Sequence, residues 1–267
     1  MKILQISDLK TYFYTSGGVV RAVDGVSFDI EKGKVFGIVG ESGSGKTMTG
    51  LSILKLVPYP GKITGGSILF HDEDLLKSDE TQLRSIRGCK ISMVFQEPGS
   101  SFNPVFTIGQ QLTEAIIAHR SIGTKKAQEI VFEYLNKVRI KDPKRIFHDY
   151  PHQLSGGTKQ RAMIAMALIN SPELIILDEP TTALDVTIQA QILDLLDEII
   201  HEENLSILFI SHDFGVIKRM CDYVAIMKYG KIVESGATEQ ILRNPKHEYT
   251  INLLESVKLL SRHCEER

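Results

Sequence analysis

Residues Gly40-Glu41-Ser42-Gly43-Ser44-Gly45-Lys46-Thr47 lie between the apolar run Val35-Phe36-Gly37-Ile38-Val39 and a stretch with helical spacing that begins at Met48. Strand, glycine loop, helix is the order of a phosphate cradle. Glycines let the loop wrap, so that backbone N–H groups and the following helix N-terminus converge on an anion. Lys46 can then reach β- and γ-phosphates, and Thr47 can ligate Mg²⁺. The spacing therefore predicts a nucleoside triphosphate held by Gly40, Ser42, Gly43, Ser44, Gly45, Lys46, Thr47 and Met48.

Two further groups could do chemistry. Leu174-Ile175-Ile176-Leu177-Asp178-Glu179 delivers two carboxylates at the end of an apolar strand, where open α/β sheets bind ligands. Alone, such a pair is an ordinary solvated strand end. In a chain that also carries a phosphate loop, Asp178 is expected to hold Mg²⁺, and Glu179 to polarise the water attacking the γ-phosphate. The third group, Leu154-Ser155-Gly156-Gly157-Thr158, opens a helix and reads as a second anion-binding turn.

These groups need rigid carriers. Short apolar or alternating runs from Lys2 to Phe95 read mostly as strands. From Ile108 to about Leu168 the period turns helical, with Ile108, Leu112 and Ile116 on one face. Buried strands return at Leu174–Leu177 and Ile207–Ile210, separated by an amphipathic helix from Ile188 to Ile200. A hairpin follows at Val224–Val233, and the tail after Val257 is charged and expected to fray.

The 267 residues carry 31 Lys+Arg against 33 Asp+Glu, a net charge of −2, so no basic field argues for a nucleic-acid partner. Cys89, Cys221 and Cys264 lack the spacing of a disulfide framework or a metal site and read as reduced thiols. No apolar run of about 18 residues is present to span a bilayer, and the start lacks the pattern of an export signal. Any membrane role is expected to run through partners.

Taken together, the motifs resemble those of ATP-binding subunits of ABC transporters. Gln96 after the strand at Ile91–Phe95, Ala183-Leu184-Asp185 after the carboxylates, and His212 after the strand at Ile207–Ile210 follow in the family's order. The resemblance implies an α/β fold: a P-loop NTPase (RecA-like) core with an N-terminal antiparallel β-subdomain and a helical ABC-specific insert. It implies one ABC ATPase domain, with core and β-subdomain at about 1–95 and 166–257, the helical subdomain at about 96–165, and the tail at 258–267. By the same resemblance Glu179, His212, Lys46 and Gln96 are catalytic, Gln96 joins Thr47 and Asp178 at Mg²⁺, and Asp185 lies at a subunit contact. Ser155, Gly156 and Gly157 would complete the ATP site of a second cassette. In Tyr12-Phe13-Tyr14, Phe13 fits the family's adenine-stacking register, with Tyr14 the alternative and core packing a third reading of the same rings.

Longer phrases resemble the branch that imports di- and oligopeptides and, in relatives, nickel. They are Gly40-Glu41-Ser42-Gly43-Ser44-Gly45-Lys46, Phe95-Gln96-Glu97-Pro98-Gly99-Ser100-Ser101-Phe102-Asn103-Pro104, Tyr150-Pro151-His152-Gln153-Leu154-Ser155-Gly156-Gly157 and Asn244-Pro245-Lys246-His247-Glu248-Tyr249-Thr250. This implies ATP hydrolysis coupled to uptake at the cytoplasmic face of the membrane. The implied partners are a second ABC ATPase subunit (a heterodimer, with a homodimer open), two integral membrane permease subunits and, indirectly, an extracytoplasmic substrate-binding protein. Nickel or metal-chelate uptake is the alternative cargo; a soluble ABC ATPase, an exporter cassette and a kinase are the more distant classes. Two departures stand out: Thr158 replaces the usual Gln or Met, and the chain stops soon after Leu254. Relatives continue into a cysteine-bearing extension that holds an iron–sulfur cluster, whereas only Cys264 remains here, so no cluster is expected.

Overall fold

The computed structural model describes residues 1–182 and 184–265; the side chains of Pro98, Ser100 and residues 257–265 are outside that description. Ala183 and the last two residues of the tail, 266–267, therefore lie outside the described residues, as does the side chain of Cys264. The chain divides into two compact units, Met1–Ser78 with the segment from Ser206 on, and Asp79–Leu205.

The first unit opens with β1 (Lys2–Thr15) and β2 (Gly18–Glu31), a long antiparallel hairpin. Next come β3 (Val35–Val39), α1 (Lys46–Ile53), β4 (Gly61–Phe70) and the short β5 (Glu73–Asp74). These strands form an antiparallel sheet in the order β2-β1-β4-β5, from which β3 stands apart. Alternation along β1 buries Leu4 and Ile6, and a register shift at Asp8, where φ is +48°, buries Leu9 as well, each no more than 2% exposed. All five residues of β3 are buried, as a strand covered on both faces requires. Fully burying a side chain such as Ile38 contributes roughly 1.5–3 kcal/mol.

The second unit runs α2 (Glu80–Ile86), β6 (Ile91–Val94), α3 (Pro98–Ser101), α4 (Ile108–Ile117), α5 (Thr124–Lys137), α6 (Pro143–His148) and a single 3₁₀ turn at Pro151–Gln153. It ends with α7 (Gly156–Leu168), β7 (Leu174–Asp178) and α8 (Val186–Glu203). The helical stretch expected from Ile108 onward is thus four helices, with Ile108, Leu112, Ile116, Val131 and Leu135 fully buried. The sequence reading has no counterpart of α2, whose start is fixed by a reciprocal cap: Gln82 N–H donates to Asp79 Oδ1 and Asp79 N–H to Gln82 Oε1. β6 and β7 pair in parallel, Val94 opposite Leu177.

The chain then returns to the first unit with β8 (Ser206–Ser211), α9 (Phe214–Met220), β9 (Tyr223–Lys228), β10 (Lys231–Ala237), α10 (Thr238–Arg243) and α11 (Glu248–Glu265). β3 lies between β8 and β9, parallel to both, and β10 pairs antiparallel with β9. Phe28 of β2 stacks on Phe36 of β3, centroids 4.7 Å apart, which ties the antiparallel sheet to the parallel strands. The backbone of α11 continues as helix through the segment expected to fray. No helix among the described residues is long and apolar enough to cross a membrane.

Candidate ATP site

The glycine loop leaves β3 at Val39, which lies opposite Ser211 of β8 and Ile226 of β9. Its two tightest points are set by backbone. A Cβ on Gly40 would come 2.2 Å from the Met227 carbonyl oxygen, and one on Gly45, where φ is +106°, 2.1 Å from that of Ala22. No other residue fits either position. The loop is tied to the β9–β10 turn by Gly230 N–H donating to the Ser44 carbonyl at 2.9 Å, and that turn to β2 by Asp24 N–H donating to the Gly230 carbonyl at 2.7 Å.

α1 begins at Lys46 with no side-chain cap. A helix N-terminus left this way presents its first N–H groups to an anion. Lys46, 5% exposed, donates from Nζ to the carbonyls of Gly40 at 2.8 Å and Glu41 at 2.9 Å, so its charge is held at the mouth of the loop. The Ser44 hydroxyl is buried with no hydrogen-bond partner. A buried orphan hydroxyl inside a glycine cradle is what a phosphate oxygen would satisfy. The residues present therefore fit a bound nucleotide.

His212 follows β8 directly and is exposed. Behind it the chain is locked by Asp213, whose N–H donates to Ser211 Oγ at 3.0 Å and whose Oδ1 accepts from Gly215 N–H at 2.7 Å. The aromatic triplet divides by strand alternation. Tyr12 donates its hydroxyl to Asp24 Oδ1 at 2.6 Å, a link the sequence reading missed. Phe13 is half-buried, its ring 2.8 Å from where a Cβ on Gly61 would stand, and Tyr14, opposite Val19, is 49% exposed.

In the second unit, β7 ends in Asp178, 1% exposed, followed by Glu179 with a left-handed φ of +48°. That conformation costs a non-glycine residue roughly 1–2 kcal/mol, and strain of this kind concentrates at functional positions. Glu179 Oε2 accepts from Gln96 Nε2 at 3.0 Å and from Thr182 Oγ1 at 2.9 Å. The meeting of Gln96 and Glu179 follows from register: each lies two residues past the paired positions Val94 and Leu177. Thr182 is a site residue that sequence reasoning missed. Its only signal is a hydroxyl three residues after the glutamate, a common turn pattern.

Ser155 is the N-cap of α7, its Oγ accepting from Thr158 N–H at 3.3 Å and lying 2.9 Å from Thr158 Oγ1. The unusual Thr158 is thus a second hydroxyl in the same turn. Ser155 and Gly156 are exposed, and a Cβ on Gly157 would come 2.8 Å from Ile188 of α8. Asp185 caps α8 through Oδ1, accepting from Ile188 N–H at 2.9 Å. Within this unit, then, Gln96 and Glu179 are in contact, and Ser155 sits at an exposed helix start.

The chain is similar to known proteins. The ABC transporter family profile matches residues 23–182. The dipeptide transport ATP-binding protein DppD of Bacillus subtilis is 49% identical over 260 residues, 97% of this chain and 78% of that protein. The oligopeptide transport ATP-binding protein OppD of the same organism is 45% identical, covering 99% of this chain and 74% of its own length. Among solved structures, the dimeric ATP-binding cassette MJ0796 in a post-hydrolysis state bound to ADP and Pi superposes with a TM-score of 0.79 at 26% identity, covering 88% of this chain and 98% of that one. The α/β architecture is that of a P-loop NTPase, and the chain belongs to the ABC transporter family as one of its ATP-hydrolysing cassettes.

Proposed function

We propose that this cassette powers uptake of di- or oligopeptides through a membrane complex, working from the cytoplasmic face. The observation that carries the cargo assignment is the likeness, over nearly the whole chain, to peptide-transport ATP-binding proteins. The motor is a pair of cassettes, this chain and a second, expected to be a different protein. Two permease subunits complete the complex, and an extracytoplasmic binding protein delivers the peptide.

Each ATP is cradled by Gly40–Met48 of one cassette and closed by Ser155, Gly156 and Gly157 of the other. Adenine stacks on the aromatic hairpin, at Phe13 or at the more exposed Tyr14. Thr47, Asp178 and Gln96 would hold Mg²⁺, which when bound neutralises charge on the β- and γ-phosphates. Lys46 binds the same phosphates as a fixed cation, and His212 contacts the γ-phosphate. Glu179 orients and polarises the attacking water, while Gln96 and Thr182 hold its carboxylate in place. The protein thus supplies positioning and charge rather than covalent chemistry. Because the triphosphate bridges both cassettes, binding closes the pair and loss of the γ-phosphate releases it.

Uptake of labelled dipeptide and of Ni²⁺ in a strain lacking this chain tests the cargo. Loss of dipeptide uptake with Ni²⁺ uptake intact is expected; the reverse assigns the cassette to a metal importer. ATP turnover of the purified complex is expected to rise when the peptide-loaded binding protein is added.

A further inference from the structure

Beside α9 lies a cavity of about 690 Å³ walled in part by α10 and by Leu254 of α11, a volume suited to a small organic molecule. It involves none of the nucleotide-binding residues, although its wall begins at Phe214, two residues past His212. Phe214, Cys221 and Leu254, each under 10% exposed, and Leu242 make its surface largely apolar. The polar exceptions are informative. Thr238, 4% exposed, lines the cavity, and its Oγ1 is buried with no hydrogen-bond partner. An orphan of this kind calls for an explanation.

Two basic and two acidic residues line the cavity, but they are not paired with one another throughout. Asp222 is fully engaged, Oδ1 accepting from Lys34 Nζ and Oδ2 from Val35 N–H, both at 2.9 Å. Glu239 is paired with Arg243. Lys218 lines the same cavity, and among the described residues no carboxylate pairs with it. One positive charge is left over beside an apolar hollow. Cys221 does not supply a reactive anion, because burial foremost, and then the Asp222 carboxylate, push its thiol up and keep it protonated.

We propose that this cavity is a binding site for an amphipathic monocarboxylate. Its apolar body lies among Phe214, Cys221, Leu242 and Leu254, its carboxylate meets Lys218, and a hydrogen-bonding atom satisfies the Thr238 hydroxyl. The proposal is independent of the cargo and of the ATP chemistry, so it is tested on the nucleotide-free chain.

The probe is octanoate, titrated calorimetrically, with octylammonium as the charge-reversed control. Saturable 1:1 binding of octanoate is expected, with octylammonium giving none. Lys218→Gln should weaken it by ~tenfold, the scale of one charge-assisted contact, Thr238→Val should also weaken it, and Thr238→Ser should restore it. Lys218 is exposed, so its variant decides the matter if Thr238→Val does not fold. Failure of octanoate to saturate, equal binding of octylammonium, or unchanged affinity in Lys218→Gln would overturn the site.

Discussion

Glu179 combines a strained backbone, a partly buried carboxylate and two side-chain donors on one oxygen. Glu179→Gln keeps the size and the hydrogen-bonding reach but removes the carboxylate proposed as the base. It should leave ATP affinity unchanged and lower turnover at its site by at least ~100-fold, the scale of general-base catalysis. Single-turnover hydrolysis in the assembled complex checks this, and equal rates in variant and wild type would remove Glu179 from the base role. Lys46→Ala acts differently, since it deletes a buried cation at the loop mouth. A loss of ~1.5–3 kcal/mol in ATP binding is expected, measurable by calorimetry. The loop residues were legible because eight consecutive positions carry the chemistry. Thr182 was not, because one hydroxyl near a turn has no distinguishing pattern, and the Gln96–Glu179 contact requires a strand register that no local spacing encodes.

At the scale of elements, the phosphate loop is shaped as much by its neighbours as by its own glycines. Gly45→Ala would drive a methyl into the Ala22 carbonyl at a positive φ. It should destabilise the chain by at least ~2 kcal/mol, read as a lower urea midpoint, together with loss of nucleotide binding. The hairpin that carries Ala22 is pinned by Asp24. Its carboxylate is held below the usual range, foremost by the Tyr12 hydroxyl and then, against some desolvation, by Lys231 and Arg21. A carboxylate depressed on folding stabilises the native state above its ordinary pKa of about 4 and loses that contribution as pH falls below it. Asp24→Asn should therefore lower the urea midpoint at pH 7, with the difference from wild type shrinking below about pH 4. The strands at Val35–Val39, Leu174–Leu177 and Ile207–Ile210 were readable from apolar runs. α2 was hidden because a seven-residue helix offers too few turns for periodicity to register, and its cap at Asp79 and Gln82 looks like any polar turn.

For the whole molecule, the family sets the activity and the likeness to peptide-transport relatives supports the cargo, and the proposed motor is a pair of cassettes. Ser155 and Gly156 are exposed at the start of α7, with two hydroxyls and a helix N-terminus facing outward for an anion held elsewhere. In the proposed shared site the triphosphate would be both fuel and the bond between cassettes. This is tested most directly by the structure of the ATP-loaded Glu179→Gln assembly in its membrane complex. Ser155 Oγ is expected within ~3 Å of a γ-phosphate whose β-phosphate rests in the glycine loop of the opposing cassette. A loaded assembly in which Ser155 lies far from every bound triphosphate would contradict the shared site.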